Sequence, residues 1–562
     1  MTVVELRVLD GPNLYFTRPA IKLTLDVAPW LALPDEGAQR LTRRAGFTPV
    51  ATVGAPNSDQ RRRYVARFAV HIARRLADAT ETHLAIRGRP GPGAGQIVVA
   101  FVWRRQRAAE GFARELSPLL ELCLDARRSL ERAIAAAADR LDRMEPGPAP
   151  TVLRPTIPII QVTGTNGKTT TVRLIAQLAR AAGHTVAYTT TDGVYRDDEL
   201  VEAGDYSGFS GAAKALAQPG IDLAVLETAR GGILLRGMGT DHNDVAVVTN
   251  VTEDHLDQYG IRTLDQLAEV KATITKITRP QGWDVLNADD PRVLAMRRLA
   301  SGQPWLFSLD ADHPAIRTTL AEGGRAISVL DGALVIMTSR RHAHRLLPVG
   351  DVPVTLAGIS SHNLRNAMAA AAAALGAGIP EGAVIEGLRT FVLDPERNPG
   401  RANVFEADRR VVVIDYAHNE DGMHGLIEIC QGLRAPGGRI FLAFGSAGDR
   451  TNGILHRLGY TAARGPDQVA IAQLHRYLRG REPQDLVARL QAGLKDGGKP
   501  QVPVFPNELE ALEWMLDSSA PNDVIAITAL GQRPEIFQYL RNRGGATIGP
   551  SRIRELVQRA RS

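Results

Sequence analysis

Residues 159–182 read IIQVTGTNGKTTTVRLIAQLARAA. An apolar run typical of a buried strand ends in a turn with two glycines, and the helical pattern that follows ends before Gly183. A strand, a glycine loop and a helix in this order are typical of a phosphate-binding loop, because glycines let backbone amides converge on a phosphate and the helix N-terminus adds its positive dipole. The sequence therefore predicts a nucleotide-binding α/β domain.

The loop itself consists of Gly164, Thr165, Asn166, Gly167, Lys168, Thr169 and Thr170. We expect Lys168 to reach the outer phosphates and the Thr169 hydroxyl to hold Mg²⁺. The general eight-residue pattern requires glycine at position 162, where this chain has Val162, so the loop is a short variant. The alternative interpretation is a glycine-rich turn without a ligand.

The pattern on both sides of this loop predicts three domains. Apolar strands alternate with helices after residue 159, which favours a parallel sheet covered by helices, and a second such series begins after Arg401. The first 145 residues predict an α+β unit in which Ser58 caps a helix and a long helix ends near Met144. The repeated prolines between Glu145 and Pro158 favour an extended linker there. The predicted divisions are 1–145 (α+β), 146–158 (linker), 159–398 (central nucleotide-binding α/β domain) and 399–562 (Rossmann-like α/β domain).

Composition excludes several classes of protein. Hydrophobic residues at 44% and charged residues at 23% are typical of a globular chain, and the two cysteines, Cys123 and Cys430, cannot form a disulfide framework. With no signal-like start and no long apolar run, we expect a cytoplasmic protein without a membrane partner. The net charge of +6 would suit an anionic substrate, although a solvated arginine surface explains it equally well. Aromatic residues at 5%, with no basic stripe between them, argue against nucleic acid.

Three further side chains have the chemistry that a nucleotide site needs. Glu227 ends the apolar strand of LAVLETARGG and could hold a metal ion, although a glutamate at a strand end, taken alone, is more often a cap or a surface residue. His255 follows the strand VAVVTNV at the edge where ligands bind in open α/β sheets. Lys271 lies among apolar residues on a helix, where it could lose its proton and react with carbon dioxide to give an anionic carbamate.

Together these motifs resemble the Mur ligase family of ATP-dependent amide-bond-forming enzymes. The strings GTNGKTT, LETARGG and NVTEDHLDQYG with the spaced Lys271 are similar to its central ATPase domain. The helix from Ser361, SHNLRNAMAAAAA, resembles the family's adenine-binding helix, and Arg401 resembles its linker arginine. Asp415 begins DYAHN, which resembles the start of the C-terminal domain. The resemblance implies the Mur-ligase fold, with ATP and Mg²⁺ as cofactors.

The resemblance also implies residue roles. Lys168 would stabilise the γ-phosphate, Thr169 and Glu227 would hold one Mg²⁺, and His255 with a carbamylated Lys271 would serve a second. The remaining nucleotide contacts would be Asn366, Arg401 and Asp415. The candidate substrate residues are Asp205 and Ser207 for the acceptor, Asp449 and Arg450 for the amine, and His418 and Asn419 at the domain junction. Turns for Asp205 and Ser207, and a mutual ion pair for Asp449 and Arg450, remain alternatives.

Within the family, the strings TTTDGVYRDDE, GDYSGFSGA, LETARGGILLRG and LNADDP resemble the cyanophycin synthetase branch. LDGPNLYFTRP, near the start of the chain, is similar to that branch's N-terminal domain, which implies acceptor binding by the first 145 residues. The branch carries an ATP-grasp domain where this chain has only the proline linker. We therefore expect this chain to lack the aspartate-adding activity of that branch. A partner enzyme is one candidate source of the missing activity.

The leading hypothesis is an ATP-dependent ligase that joins an amino acid, with arginine as one candidate, to a peptide-like carboxylate through an acyl phosphate. A folylpolyglutamate-synthetase-like ligase is the nearest enzyme alternative. A non-catalytic polymer-binding homologue and a P-loop motor acting on nucleic acid are the other classes considered. Whether the chain forms a homo-oligomer stays open.

Overall fold

The computed structural model describes residues 1–48, 52–125, 127–254, 256–339 and 342–562. Three sheets with helices packed on them confirm the predicted α/β class. Among the described residues, no helix has both the length and the apolar character needed to cross a membrane.

The N-terminal sheet is antiparallel, with the strand order β1-β2-β4-β3. Its strands are β1 Thr2–Leu9, β2 Ala20–Asp26, β3 Ile86–Pro90 and β4 Gln96–Val102. The helices are α1 Ala28–Leu31, α2 Asp35–Arg44, α3 Asp59–Ala79, α4 Gln106–Leu122 and α5 Leu130–Asp142. Ser58 caps α3 as predicted, because its hydroxyl accepts the backbone N–H of Arg61 at 3.1 Å.

The single long helix predicted to end near Met144 is wrong, because the structure contains two helices there. The chain leaves the helix after Leu122 and begins a new one at Leu130. Between them, Asp125 accepts the N–H of Arg127, and Ser129 caps α5 by accepting the N–H of Arg132. Short polar side chains that bond to nearby backbone compete with a continuous helix in this way.

The central sheet has eleven strands in the order β15-β14-β13-β12-β11-β10-β5-β9-β6-β7-β8. The strands are β5 Ile159–Thr163, β6 Val186–Thr189, β7 Gly193–Arg196, β8 Glu199–Ala203, β9 Leu223–Glu227, β10 Asn243–Val248, β11 Thr278–Asn287, β12 Gln303–Ser308, β13 Arg325–Leu330, β14 Ala333–Ser339 and β15 His342–Pro348. The helices are α6 Lys168–Ala181, α7 Phe209–Leu216, α8 Arg230–Leu235, α9 Leu264–Lys271, α10 Pro291–Ala295, α11 Pro314–Ala321, α12 Ser361–Gly376 and α13 Glu381–Thr390. Pairing is parallel from β13 to β6 and antiparallel at both ends, so the sheet is mixed rather than purely parallel.

The C-terminal sheet has the order β20-β19-β18-β21-β17-β16-β22, and its first five strands are parallel. The strands are β16 Asn403–Ala407, β17 Arg410–Asp415, β18 Ile440–Phe444, β19 Gln468–Ala472, β20 Val504–Phe505, β21 Val524–Thr528 and β22 Ala546–Thr547. The helices are α14 Glu420–Leu433, α15 Asn452–Ala462, α16 Pro483–Asp496, α17 Glu508–Ser518, α18 Arg533–Asn542 and α19 Pro550–Arg561.

An alanine-rich helix lies in the core of the central unit. Residues 367–374 of α12, seven alanines and Met368, are all fully buried. Small side chains let α12 lie close to both α6 and the sheet, so the helix that follows the glycine loop is supported on its inner side.

The three units contact one another directly. The N–H of Leu153, in the proline-rich segment, donates to the carbonyl of Gly239 at 3.0 Å. The N-terminal unit reaches the same region, since the carbonyl of Pro12 accepts the N–H of Met238 at 2.7 Å. On the other side, Asp192 of the central unit pairs with Arg533 of the C-terminal unit at 3.0 Å. The central unit, which carries the loop at residues 164–167, therefore contacts both the N-terminal and the C-terminal unit.

A buried carboxyl in the central sheet predicts a pH-dependent stability. Asp284 accepts the Thr278 hydroxyl at 2.7 Å and the Gly302 N–H at 2.8 Å, yet burial raises its pKa to about 7 from an ordinary 3.8. The folded chain therefore holds this proton more tightly than the unfolded chain. Its contribution to the free energy of unfolding should fall as the pH rises from about 4 to about 7, and stay low above that.

Thermal unfolding measured across this pH range tests the prediction. Asp284→Asn should lower the melting temperature at low pH, where it loses a matched hydrogen bond, and should flatten the decline between pH 4 and 7. Asp139→Asn, at an exposed position on α5, is the matched control and should keep the wild-type slope. An unchanged slope in Asp284→Asn would contradict the assignment.

Candidate functional site

The loop of residues 164–167 connects β5 to α6 at the carboxyl edge of the central sheet. Asn250, which follows β10, shapes it, because its Oδ1 accepts the N–H of Thr165 at 3.0 Å and that of Asn166 at 2.8 Å. Gly167 is the N-cap residue directly before α6 and lies in the left-handed region, with φ +84°. A side chain at Gly167 would collide with Asn366 Oδ1. The loop is thus held in a defined shape, and both the positive φ and the nearby Asn366 require glycine at position 167.

Gly167→Ala should therefore damage the loop, and Gly183→Ala is its matched control. Both glycines have nearly the same φ, +84° and +85°, but a Cβ on Gly183 would meet nothing within 4 Å. Gly183→Ala should cost only the backbone strain, about 1 kcal/mol. We expect Gly167→Ala to cost at least about 1 kcal/mol more, and to weaken magnesium-nucleotide binding in calorimetry, which Gly183→Ala should leave unchanged. Equal effects would show that Asn366 does not constrain the loop.

A threonine hydroxyl and a buried carboxylate meet beside the loop. Thr169, in the first turn of α6, donates its Oγ1 hydroxyl to Glu227 Oε2 at 2.8 Å. Glu227 is 2% exposed at the end of β9, and its Oε1 has no hydrogen-bond partner among the described residues. Burial raises the pKa of Glu227, and the nearby Lys168 ammonium opposes this. A buried, unpartnered carboxylate oxygen next to a hydroxyl is a donor set that fits Mg²⁺.

Two lysines lie at the same corner. Lys168 Nζ donates to the Thr165 carbonyl at 2.9 Å, and Lys271 Nζ at the end of α9 donates to the Gly164 carbonyl at 2.5 Å. Burial lowers the pKa of Lys271 well below its ordinary value, and Lys168 lowers it further. A neutral amine of this kind is reactive towards carbon dioxide. His255, predicted to lie here, falls outside the described residues, and within those residues no group of three metal-ligating side chains occurs.

The C-terminal unit touches the loop directly. Asn166 and Asn419 exchange side-chain hydrogen bonds of 3.2 and 2.9 Å, and Asn166 also donates to Asp421 Oδ2 at 2.8 Å. The imidazole of His418 lies 3.3 Å from Asp254 Oδ2. The structure therefore brings Asn419 to the loop, and it brings His418 to Asp254 in the segment that follows β10.

The remaining predicted nucleotide contacts lie on α12 and at the start of the C-terminal unit. Asn366 on α12 is buried, and it lies beside Gly167 and accepts the Thr171 hydroxyl at 3.4 Å. The Arg401 guanidinium lies over the Tyr416 ring, 4.3 Å from its centroid. Asp415 accepts the Ala402 N–H at 2.7 Å; burial raises the pKa of Asp415, while Arg401 opposes this.

The predicted substrate residues occupy two different settings. Asp205 Oδ1 accepts both the N–H and the hydroxyl of Ser207, at 3.1 and 2.6 Å, which is the turn considered as the alternative. Asp449 pairs with Arg450 at 2.9 Å, and Arg450 also pairs with Asp254 of the central unit at 3.0 Å. Asp449 and Arg450 therefore form a mutual ion pair, and Arg450 also connects the C-terminal unit to the central unit.

Sequence reasoning missed several residues that shape this site. Asn250 organises the loop backbone, and its signal was only its position directly after an apolar strand. Asp192, within the quoted TTTDGVY string, pairs with both Arg173 and Arg533. Burial would raise the pKa of Asp192, but these two guanidinium groups and Arg401 outweigh it and lower the pKa.

Comparison with known families places two domain models on the chain. The model described as the Mur ligase middle domain matches residues 162–374, and that described as the Mur ligase glutamate ligase domain matches residues 400–531. Together they cover well over half of the chain.

Individual relatives agree with these matches. A cyanophycin synthetase of Synechocystis sp. is 35% identical over 75% of this chain and 46% of its own length. The chain thus spans about half the length of the curated cyanophycin synthetases it matches. A UDP-N-acetylmuramoyl-L-alanyl-D-glutamate–2,6-diaminopimelate ligase of Bacillus licheniformis is 25% identical over 69% of this chain and 76% of its own. E. coli FolC, solved with DHPP and ADP, is 20% identical over 70% of this chain and 90% of its own, with a TM-score of 0.50, and shows the shared fold.

Proposed function

Because the chain belongs to the Mur ligase family, we propose that it is an ATP-dependent ligase that joins an amino acid to a carboxylate on a peptide-like acceptor. The proposed division is a nucleotide-binding domain over residues 159–398, an amine-binding domain over 399–562 and an acceptor-binding unit over 1–145. Arginine is the amine to test first, given the likeness to cyanophycin synthetase.

One observation carries this proposal: the hydrogen bond of 2.8 Å between Thr169 and Glu227, beside a glycine loop at a helix N-terminus. The unpartnered Glu227 Oε1 remains available for a cation. A metal and converging backbone amides are the parts that phosphoryl transfer requires. A glycine-rich turn without a ligand would need no buried carboxylate at this point.

In the first proposed step, a carboxylate oxygen of the acceptor attacks the γ-phosphorus of ATP, and ADP leaves with the electrons of the broken P–O bond. Lys168 would turn from the Thr165 carbonyl to the γ-phosphate and stabilise the charge that develops on its oxygens. Thr169 and Glu227 would hold Mg²⁺, which supplies positive charge at the transferring group. His255 and a carbamylated Lys271 are proposed to hold a second ion.

In the second step, the amine attacks the acyl phosphate carbonyl, inorganic phosphate leaves and the amine loses a proton. Water would compete with the amine, so the site must be closed during this step. Asn419 and Asp421 contact Asn166 of the loop, so the C-terminal unit already covers one side. We propose that this contact, with Arg401 and Asp415 at the hinge, keeps water from the acyl phosphate.

Phosphate release from ATP, measured over a matrix of amines and aspartate-containing peptides, tests the function. Release that needs one amine and one acceptor together, with mass spectrometry showing the joined product, is the expected result. A folate acceptor with glutamate is included as the arm for a folylpolyglutamate-type reaction. Release at one constant rate with every pair, or with none, would overturn the ligase assignment.

A further inference from the structure

Arg230 is a buried guanidinium for which the proposed reaction above gives no role. It is the first residue of α8, three positions after Glu227, and it is 9% exposed. Its Nη2 donates to Gln258 Oε1 at 2.5 Å. Its Nη1 is buried and has no hydrogen-bond partner among the described residues. A buried charged donor without a hydrogen-bond partner is unfavourable, because nothing offsets its loss of hydration, so this arrangement requires an explanation.

The acidic groups nearby do not supply the missing partner. Asp449 and Asp254 both pair with Arg450, at 2.9 and 3.0 Å, and Asp449 also accepts from Gln258 at 3.0 Å. Arg230 therefore contacts a neutral amide that is itself bonded to a carboxylate, whereas Arg450 contacts the carboxylates directly. This network fixes the Arg230 side chain in position while its Nη1 stays available.

The location of Arg230 fits a substrate contact. Its helix, α8, packs against α9, which ends at Lys271, and Arg230 follows Glu227 by three positions, so the guanidinium lies near the lysine and Glu227 corner. A Cβ added to the next residue, Gly231, would meet nothing within 4 Å, so the backbone leaves open space there. Gln258 links Arg230 to Asp449 of the C-terminal unit. Arg230 thus lies between the proposed phosphoryl-transfer corner and the unit proposed to bring the amine.

We propose that Nη1 of Arg230 binds a carboxylate of the acceptor substrate. This inference rests on the proposed ligase function and deepens it. Arg230 belongs to the same unit as the phosphate-binding loop, and the acceptor must bring its carboxylate to that loop before the amine arrives. A carboxylate accepting a charge-assisted hydrogen bond would satisfy the donor and offset the buried charge. A direct contact to the nucleotide phosphates is the competing explanation.

The test uses N-acetyl-alanyl-aspartate in four forms: both carboxyls free, the α-carboxyl as an amide, the side-chain carboxyl as an amide, and both as amides. Calorimetry measures the binding of each form to the full chain with a non-hydrolysable ATP analogue and Mg²⁺. The variants are Arg230→Gln and Arg230→Lys. Arg262→Gln, at an exposed arginine outside the proposed site, is the matched control.

Wild type and Arg262→Gln should bind the acid form of one carboxyl about ten- to a hundredfold more tightly than its amide. In Arg230→Gln that ratio should fall towards one, while the ratio for the other carboxyl and the affinity for the ATP analogue stay unchanged. Arg230→Lys should retain part of the preference. This pattern identifies which carboxyl Arg230 binds.

Three results would overturn the inference: equal weakening of all four forms, an unchanged ratio in Arg230→Gln, or a loss confined to the ATP analogue. Failure of all four forms to bind wild type would overturn it as well. The ligase function is tested separately by phosphate release. An enzyme that releases phosphate normally while Arg230→Gln keeps its acid preference would retain the function and lose the Arg230 assignment.

Discussion

Lys168→Ala is expected to lower amine-dependent phosphate release about a thousandfold, because it removes the cation closest to the developing charge on the transferring phosphoryl group. In the structure the ammonium donates to the Thr165 carbonyl, one turn from the Thr169 hydroxyl that meets Glu227. The lysine is thus held by its own loop, and in the proposed reaction it turns from there to the γ-phosphate. Steady-state assays with saturating acceptor and amine measure the effect.

The kinetic pattern separates catalysis from loop damage. A lysine that acts in the transition state should lower kcat with little change in the KM for ATP, whereas a distorted loop should raise that KM. Lys168→Arg keeps the charge but not the compact ammonium, so it should restore only part of the rate. Lys495→Ala, at an exposed lysine of α16, should match wild type. Near-wild-type turnover in Lys168→Ala would contradict the proposal that phosphoryl transfer takes place at this loop.

The loop was predictable because its chemistry is local in sequence. Gly164, Gly167 and Lys168 follow a strand and open a helix, and the reason for each residue type lies within a few positions. The α/β class followed from apolar strands alternating with helices. Glu227 could be predicted as well, because neighbouring parallel strands end at the same edge of a sheet.

The contacts between units were not predictable in this way. Asn166 meets Asn419 and Asp421 from more than 250 positions away, and nothing in either segment specifies the other. Asp192 pairs with Arg533 across 341 positions. Arg230 lies within the LETARGG string, and nothing in that string indicates that its side chain is buried. Such pairs depend on how whole units pack, which local patterns do not encode.

Lys271→Ala is expected to lower turnover by two to three orders of magnitude, and short carboxylates such as formate or acetate should restore part of it. The buried amine has a pKa well below its ordinary value, so its neutral form is available to become a carbamate. Removing the side chain would delete that anion and leave space for a small carboxylate. Ligase turnover measured against added formate, at constant ionic strength, gives the result.

A second set of additives decides between two roles for this lysine. In the structure Lys271 Nζ donates to the Gly164 carbonyl, so an unmodified amine could simply hold the loop. In that case methylammonium should rescue Lys271→Ala and formate should not, whereas a carbamate predicts the reverse. Lys276→Ala, five residues along and half-buried, is the control and should respond to neither additive. Rescue by methylammonium alone would contradict both the carbamate and the second metal site proposed for it. The proposed first metal site at Thr169 and Glu227 would not be affected.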